Sequence, residues 1–310
     1  MSPLRQHLDD YLQLRRALGF KLISEGQLLV SFVAYMDAAD ADTVTVTNAL
    51  RWATLPDSAK PVYHAKRLRA VRGFARYLHT LDPAHEPLAT DLMGSGGWQR
   101  PAPYIYSHEE IVALMVAASR LKTRLGSATM RTLIGLLTVT GMRVGEAIRL
   151  DRDDLDLEHE RLVVRQSKFG KSRQLPLHST TITALREYLD AREALKPQAQ
   201  TDALLIGTWG GRLRRDWVDR VFRLLRQRVG LAPRPGSAPP RVHDIRHSFA
   251  VHTMLDAYRS GGDPTACASA LATYLGHGDP AASYWYLSAT PELLALAAER
   301  LEAHQTEAAR

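Results

Sequence analysis

Residues that can act on a phosphodiester occur at three separate places in this chain. Arg143 lies near the middle, His243 and Arg246 follow about a hundred residues later, and Tyr286 stands nine residues after His277. Arginine presents a planar fork of donors to phosphate oxygens, histidine exchanges protons near neutral pH, and tyrosine supplies a nucleophilic oxygen. These side chains predict cleavage of a DNA phosphodiester without a metal ion, with the bond energy kept in a protein–DNA linkage.

Arg143 lies in the segment TVTGMRVGEA, where Gly141 gives the backbone freedom to turn before a predicted helix. At the start of a helix its guanidinium can point at a phosphate together with nearby backbone amides. The alternative is an ordinary ion pair with Glu146 one helical turn later. For this arginine taken alone, the ion pair is the more common arrangement.

The histidine and tyrosine residues have equally plain alternatives. His243 and Arg246 are three residues apart and project from one face of a helix, but this spacing is common. Tyr284 and Tyr286 compete as the nucleophile, and most tyrosines simply pack their rings against apolar neighbours. Because a phenol has a pKa of about 10, attack at neutral pH requires a base or a strong positive field nearby.

The composition limits the class of protein. A length of 310 residues favours two domains, and a net charge of +7 with a pI of about 9.6 favours a polyanionic partner. The single cysteine excludes an intramolecular disulfide and argues for a reducing cytosol. No apolar run approaches the roughly 20 residues of a membrane span, and no signal-peptide core follows the amino terminus. We expect a cytoplasmic, nucleoid-associated protein with no membrane partner.

The first ninety or so residues are predicted to be helical. Apolar spacing of three and four residues predicts helices over 4–20 and 25–39, followed by a loop and a short helix capped by Thr45 or Thr47. A further helix within 58–81 carries six basic residues and no acidic residue. A charge run is often only a solvated face, but the absence of acids favours contact with DNA phosphates. The predicted DNA-binding residues are Lys66, Arg67, Arg69, Arg72 and Arg76.

A stretch rich in glycine and proline separates two predicted domains. The first covers 1–93, a linker covers 94–105, and the second covers 106–310. Ser107 and Glu110 have the spacing of a capping box at the first helix of the second domain.

The second domain is predicted to be mostly helical with a small sheet. Strands over 161–166 and 173–178 flank a hairpin turn, and helices are predicted over 217–229 and 290–305. Between Arg212 and Arg246 there are ten arginines and three acids, which concentrates positive charge next to His243.

Three segments, TGMRVGEA, HDIRHSFAVH and LGHGDPAASYWY, resemble in this order the signature boxes of the tyrosine recombinase (phage integrase) family. The resemblance covers about residues 105–290, and the amino-terminal helices are similar to the family's helical core-binding domain. It implies a mainly α fold with a small antiparallel β-sheet in the catalytic domain, and a two-domain clamp around duplex DNA. It also implies catalytic roles for the matching residues. Arg143 matches the first catalytic arginine, His243 and Arg246 match the central pair, and His277 matches the later histidine.

The same resemblance assigns the nucleophile and a catalytic lysine. Tyr286 matches the nucleophile because the family places it nine residues beyond the later histidine, which leaves Tyr284 out of register. Lys168 matches the hairpin lysine, since SKFGKSRQLPL is similar to the family pattern. Phe169 stands where a glycine is usual, so Lys171 is the alternative to Lys168.

The implied reaction is a two-step transesterification through a 3′-phosphotyrosyl intermediate, with neither metal nor ATP as a cofactor. The implied partners are double-stranded DNA and further copies of this chain or related recombinases in a tetrameric synapse. In such a synapse the carboxyl-terminal helix docks on a neighbouring protomer, although its apolar face could equally pack in its own chain.

Three other functions compete with recombination. A type IB topoisomerase-like enzyme uses nearly the same residues but returns each strand to its original partner. A catalytically silent DNA-binding protein of the same fold conflicts with the six competent active-site residues. A metal-dependent nuclease conflicts with the lack of an acidic cluster among the boxes.

Overall fold

The chain divides into two compact units, Met1–Arg100 and Pro101–Arg310. The structure is a computed structural model that describes residues 2–93, 102–165, 172–199, 201–235, 237–276 and 291–308. Most of the predicted linker lies outside these described residues. Among the described helices, none is long and apolar enough to cross a membrane.

Four helices form the described part of the first unit. They are α1 (Pro3–Ala17), α2 (Ile23–Ala38), α3 (Val46–Thr54) and α4 (Pro61–Leu81). Helix α3 begins after Thr45, whose hydroxyl accepts a hydrogen bond from the amide of Asn48, so the predicted cap is confirmed. The buried rings of Phe32, Trp52 and Phe74 join these helices into one core, which is apolar on the inner face of each helix.

The second unit is mostly helical. Its described helices are α5 (His108–Ser119), α6 (Arg124–Thr140), α7 (Val144–Arg149), α8 (Ser179–Leu195), α9 (Arg215–Arg228), α10 (Asp244–Arg259), α11 (Pro264–Leu275) and α12 (Pro291–Ala308). Helix α5 starts with the predicted capping box, in which the Ser107 hydroxyl accepts from the Glu110 amide and the Glu110 carboxylate accepts from the Ser107 amide.

A three-stranded antiparallel sheet lies between α7 and α8 in the chain. Its strands are β1 (Leu155–Asp156), β2 (Arg161–Val164) and β3 (Arg173–Pro176), in that order across the sheet. Leu162 and Leu175 are opposite each other in register and are both buried in the main core. The predicted mainly α fold with a small antiparallel sheet is therefore confirmed.

The last three described helices form a second, smaller core in this unit. Val251 and Met254 of α10, Leu275 of α11 and Leu293 of α12 are buried against one another. Leu294 and Leu301 of α12 stay exposed. The terminal helix therefore packs part of its apolar face within its own chain.

Candidate active site

Arg143 is positioned by a sharp turn between α6 and α7. Helix α6 ends at Gly141, which has a φ of 57° in the left-handed region that favours glycine. A β-carbon at this position would lie 2.4 Å from a ring carbon of Phe249, so the turn also has no room for a side chain. Arg143 follows as the N-cap of α7, as the sequence predicts.

Arg246 joins this turn to the end of α11. It lies in the first turn of α10 and is only 3% exposed. Its Nη1 donates to the carbonyl oxygen of Gly141 at 2.9 Å, and its Nη2 donates to the carbonyl oxygen of Leu275 at 2.8 Å. These two bonds fix a buried guanidinium between segments that are far apart in sequence.

Glu146 forms ion pairs with two arginines. Its Oε1 accepts from Nη1 of Arg143 at 2.8 Å, and its Oε2 accepts from Nη2 of Arg173 on β3 at 2.8 Å. The ion pair of Arg143 with Glu146, considered above as the plain alternative, is therefore present. Burial raises the pKa of Glu146, but hydrogen bonds from Arg173 and Arg143 and the charge of Arg173 outweigh it and bring the pKa to about 2. Glu146 is a carboxylate at any pH near neutrality.

Both arginines with predicted catalytic roles reach the same end of α11. Nη2 of Arg143 donates to the carbonyl oxygen of Gly276 at 3.4 Å, one residue beyond the Leu275 carbonyl that Arg246 contacts. Gly276 caps α11 with a φ of 67°, and His277 is the next residue in the chain. Two of the predicted catalytic residues thus converge beside the chain position of a third.

His243 lies beside these arginines at the start of α10. Burial, together with the positive charges of Arg246, Arg241, Arg215 and Arg143, lowers the pKa of His243 to about 4. Its ring meets the His247 ring edge-on at a centroid distance of 4.9 Å. His243 is therefore neutral at pH 7 and has a nitrogen that accepts a proton.

A set of hydrogen bonds that the sequence analysis did not identify fixes the chain before α10. The buried Asp244 carboxylate accepts from the amide of Arg241 at 2.8 Å and from its guanidinium at 3.0 Å. The hydroxyl of Tyr106 donates to the Arg241 carbonyl at 3.1 Å. The spacing of Arg241 and Asp244, three residues apart, is the signal that identifies the pair in the sequence.

Comparisons with known proteins show which family the chain belongs to. The phage integrase family profile matches residues 105–292. A provisionally named integrase/recombinase, y4rB of Sinorhizobium fredii, is 39% identical over 308 residues, covering 97% of this chain and 98% of its own. The chain belongs to the phage integrase family. It is thus a tyrosine recombinase, an enzyme that transfers DNA strands.

Other members of the phage integrase family agree in sequence and fold. The tyrosine recombinase XerD of Mycobacterium tuberculosis is 32% identical over 207 residues, which are 64% of each chain. The integrase of the transposon Tn1549, solved with transposon right end DNA, matches with a TM-score of 0.67 at 17% identity and covers 97% of this chain and all of its own. The second comparison shows a shared fold.

Three residues to which the family resemblance gives catalytic roles lie outside the described part of the chain. They are Lys168, His277 and Tyr286, and the alternatives Lys171 and Tyr284 lie outside it as well. Their roles therefore stay predictions. Within the described residues, no group of three or more histidine, cysteine, aspartate or glutamate side chains is placed to hold a metal ion.

The predicted DNA-binding residues of α4 differ in their surroundings. Lys66, Arg69 and Arg76 are exposed, and Arg72 is half-buried and donates to the Thr90 carbonyl. Arg67 departs from the predicted basic face because its guanidinium lies 3.8 Å over the Trp52 ring and donates to the Trp52 carbonyl. Arg67 is 8% exposed, so its environment is the core of the first unit.

Proposed function

We propose that this protein is a site-specific recombinase that cuts and rejoins DNA strands through a 3′-phosphotyrosyl intermediate, without metal or ATP. The observation that carries the proposal is the convergence of Arg143 and Arg246 on Leu275 and Gly276, with neutral His243 beside them. Two fixed positive charges next to a proton acceptor suit a reaction in which negative charge develops on phosphate oxygens.

In the first step, the phenolic oxygen of Tyr286 attacks the scissile phosphorus. The new bond joins this oxygen to phosphorus, and the bond from phosphorus to the 5′-oxygen breaks. His243 accepts the phenolic proton, and Lys168 gives a proton to the departing 5′-oxygen, so a free 5′-hydroxyl forms. Arg143, Arg246 and His277 stabilise the non-bridging oxygens with charge-assisted hydrogen bonds.

In the second step, the 5′-hydroxyl of another strand attacks the phosphotyrosine. A phosphodiester forms, the bond from phosphorus to Tyr286 breaks, and the protons return to Tyr286 and Lys168. In each step one phosphorus–oxygen bond forms and another breaks. The bond energy is therefore conserved, and the reaction needs no nucleotide hydrolysis. The positive field of the arginines also favours the ionised phenol before attack.

The proposed partners are double-stranded DNA and further copies of this chain or related recombinases, assembled as a tetramer. The net charge of +7 and the exposed basic residues of α4 support a DNA partner. Residues 1–93 would act as the core-binding domain and 106–310 as the catalytic domain. Similarity to a transposon integrase supports a role in the movement of a DNA element.

Covalent trapping on a nicked suicide duplex tests this proposal. The duplex carries the DNA sequence that borders the gene, and wild type is compared with Tyr286→Phe and Tyr284→Phe in the presence of EDTA. We expect wild type and Tyr284→Phe to form a DNA adduct that resists denaturation, and Tyr286→Phe to form none. An adduct in Tyr286→Phe would show that the nucleophile is another residue.

Two further readouts separate recombination from the alternative functions. Efficient relaxation of a supercoiled plasmid regardless of its sequence would favour a topoisomerase. DNA binding by wild type without any adduct would favour a silent binding protein. Loss of cleavage in EDTA would favour a metal-dependent nuclease.

A further inference from the structure

We propose that Arg173 is a positioning residue that sets the charge and direction of Arg143 through the buried carboxylate of Glu146. The inference rests on the proposed function, in which Arg143 binds the scissile phosphate. Arg173 lies on β3, 30 residues beyond Arg143 in the chain, and was not among the predicted catalytic residues.

Glu146 is the link between the two arginines. Its side chain is 1% exposed, and its two oxygens accept from the guanidinium and amide of Arg143 and from both Nη atoms of Arg173. A buried carboxylate is stable only when its charge is paired and its lone pairs are satisfied. Arg173 supplies half of those partners.

The charge of the cluster depends on Arg173. Arg143 and Glu146 alone sum to zero, so a phosphate that approached Arg143 would meet an ion pair with little net attraction. With Arg173 the three side chains sum to +1, and Glu146 shares its hydrogen bonds between two cations. Arg143 can then bind an anion without leaving Glu146 unpaired.

Burial separates the roles of the two arginines. The Arg143 side chain is 26% exposed, whereas that of Arg173 is 12% exposed and packs against Gly276. A β-carbon at Gly276 would lie 3.1 Å from Nη1 of Arg173. Arg143 is therefore the one that is open to a ligand, and Arg173 is held behind it.

A charge-matched pair of variants tests this proposal. Arg173→Gln should reduce the rate of covalent cleavage on the suicide duplex by about 10- to 100-fold, the range expected when a group at the reacting phosphate is misplaced. Adding Glu146→Gln to Arg173→Gln removes the opposing charge and returns the net charge at Arg143 to +1. The double variant should therefore cleave several-fold faster than Arg173→Gln.

Two controls accompany these variants. Arg161→Gln removes an exposed arginine side chain from the neighbouring strand β2, where it pairs with Asp156, and should cleave as wild type does. Arg173→Lys keeps the charge with fewer donors and should lie between wild type and Arg173→Gln. Thermal unfolding of each variant reports whether it is folded.

A second measurement does not depend on cleavage. Inorganic sulfate is titrated while the Nε–Hε resonance of Arg143 is followed by NMR. Sulfate should bind several-fold more weakly to Arg173→Gln than to wild type. Its affinity should recover in the double variant. A failure of the proposed function appears instead as a wild type without a Tyr286-dependent adduct.

Either of two results would overturn the positioning role. One is cleavage by Arg173→Gln within about twofold of the Arg161→Gln control, because the compensating charge would then be unnecessary. The other is a double variant that neither cleaves faster nor binds sulfate more tightly than Arg173→Gln. Arg173 would then act only through packing.

Discussion

At the scale of single residues, burial and neighbouring arginine charges together decide which groups hold protons at neutral pH. Glu146 and His243 are both partly or fully removed from water, yet both keep the protonation state that the proposed chemistry needs. Arginine donors hold Glu146 ionised with a pKa of about 2, and burial together with arginine charges holds His243 neutral with a pKa of about 4. Neighbouring arginines therefore keep a carboxylate ionised in one place and an imidazole neutral in another, and Arg143 contributes to both.

The lowered pKa of His243 predicts an acid-sensitive stability. Its folded pKa of about 4 lies below the unfolded value of about 6.5, so the unfolded state binds more protons between these values. This stabilisation is fully present above about pH 6.5 and is lost as the pH falls towards 4. Between pH 7 and pH 5, the free energy of unfolding should fall by about 1 to 2 kcal/mol less in His243→Gln than in wild type, because the glutamine side chain does not titrate. Denaturant unfolding at both pH values measures it, and equal losses in the two proteins would contradict the prediction.

The resemblance of the boxes to the family pointed to Arg143, His243 and Arg246, and the structure places these three side chains near one another, while their catalytic roles stay predictions. The boxes did not point to Arg173, whose partner Glu146 only the fold brings close, or to Asp244, whose partner Arg241 is three residues away in the chain. For Arg67 the sequence predicted an exposed DNA-binding residue, whereas the structure buries its side chain. A basic residue in a basic run was assigned to the exposed face, but the flat ring of Trp52 from another helix offered a cation–π partner.

At the scale of elements, the proposed catalytic centre depends on helix ends. Gly141 is the C-cap of α6 and Gly276 is the C-cap of α11. Arg143 and His243 are the N-caps of α7 and α10. Helix ends leave backbone carbonyls and amides without partners in the helix, and Arg246 uses two such carbonyls. The ends therefore anchor the arginines.

The turn at Gly141 predicts a large effect for a very small substitution. Gly141→Ala places a methyl group against Phe249 in a left-handed conformation, and should lower the free energy of unfolding by roughly 2 kcal/mol or more and reduce cleavage. Gly135→Ala is the matched control, since it lies within α6 and its β-carbon would meet only Met115 at 3.5 Å. The control should be neutral or stabilising by up to about 1 kcal/mol. Equal stability of the two variants, compared by denaturant unfolding, would mean that the turn tolerates a side chain.

Periodicity predicted many elements well, but it left three described helices of the second unit, α6, α8 and α11, without a prediction. Strands β2 and β3 pair as expected because their alternating apolar residues face one core. The predicted loop before α3 is also present, because Thr45 caps that helix. Helix α11 was not predicted, because its alanine-rich sequence lacks a clear polar face. Its position behind α10 supplies the contacts that the sequence pattern does not show.

At the scale of the whole molecule, excess positive charge favours binding to DNA and makes the DNA affinity depend on salt. A net charge of +7 favours association with any duplex, and each phosphate that the protein neutralises releases a counterion. DNA affinity should therefore fall steeply with salt. Exposed and buried arginines of the same helix contribute differently to this effect, because only an exposed cation can reach a phosphate.

Arg69 and Arg67 provide a matched test of that difference on α4. Arg69→Gln removes an exposed charge and should weaken DNA binding, lower the slope of log affinity against log salt by about 1, and leave stability unchanged. Arg67→Gln removes the cation over Trp52 and a buried hydrogen bond, so it should destabilise the folded state by roughly 1 to 3 kcal/mol. Fluorescence anisotropy at several salt concentrations and denaturant unfolding measure the two effects. The division fails if Arg67→Gln changes the salt slope as much as Arg69→Gln does while remaining equally stable, because Arg67 would then contact DNA despite its burial.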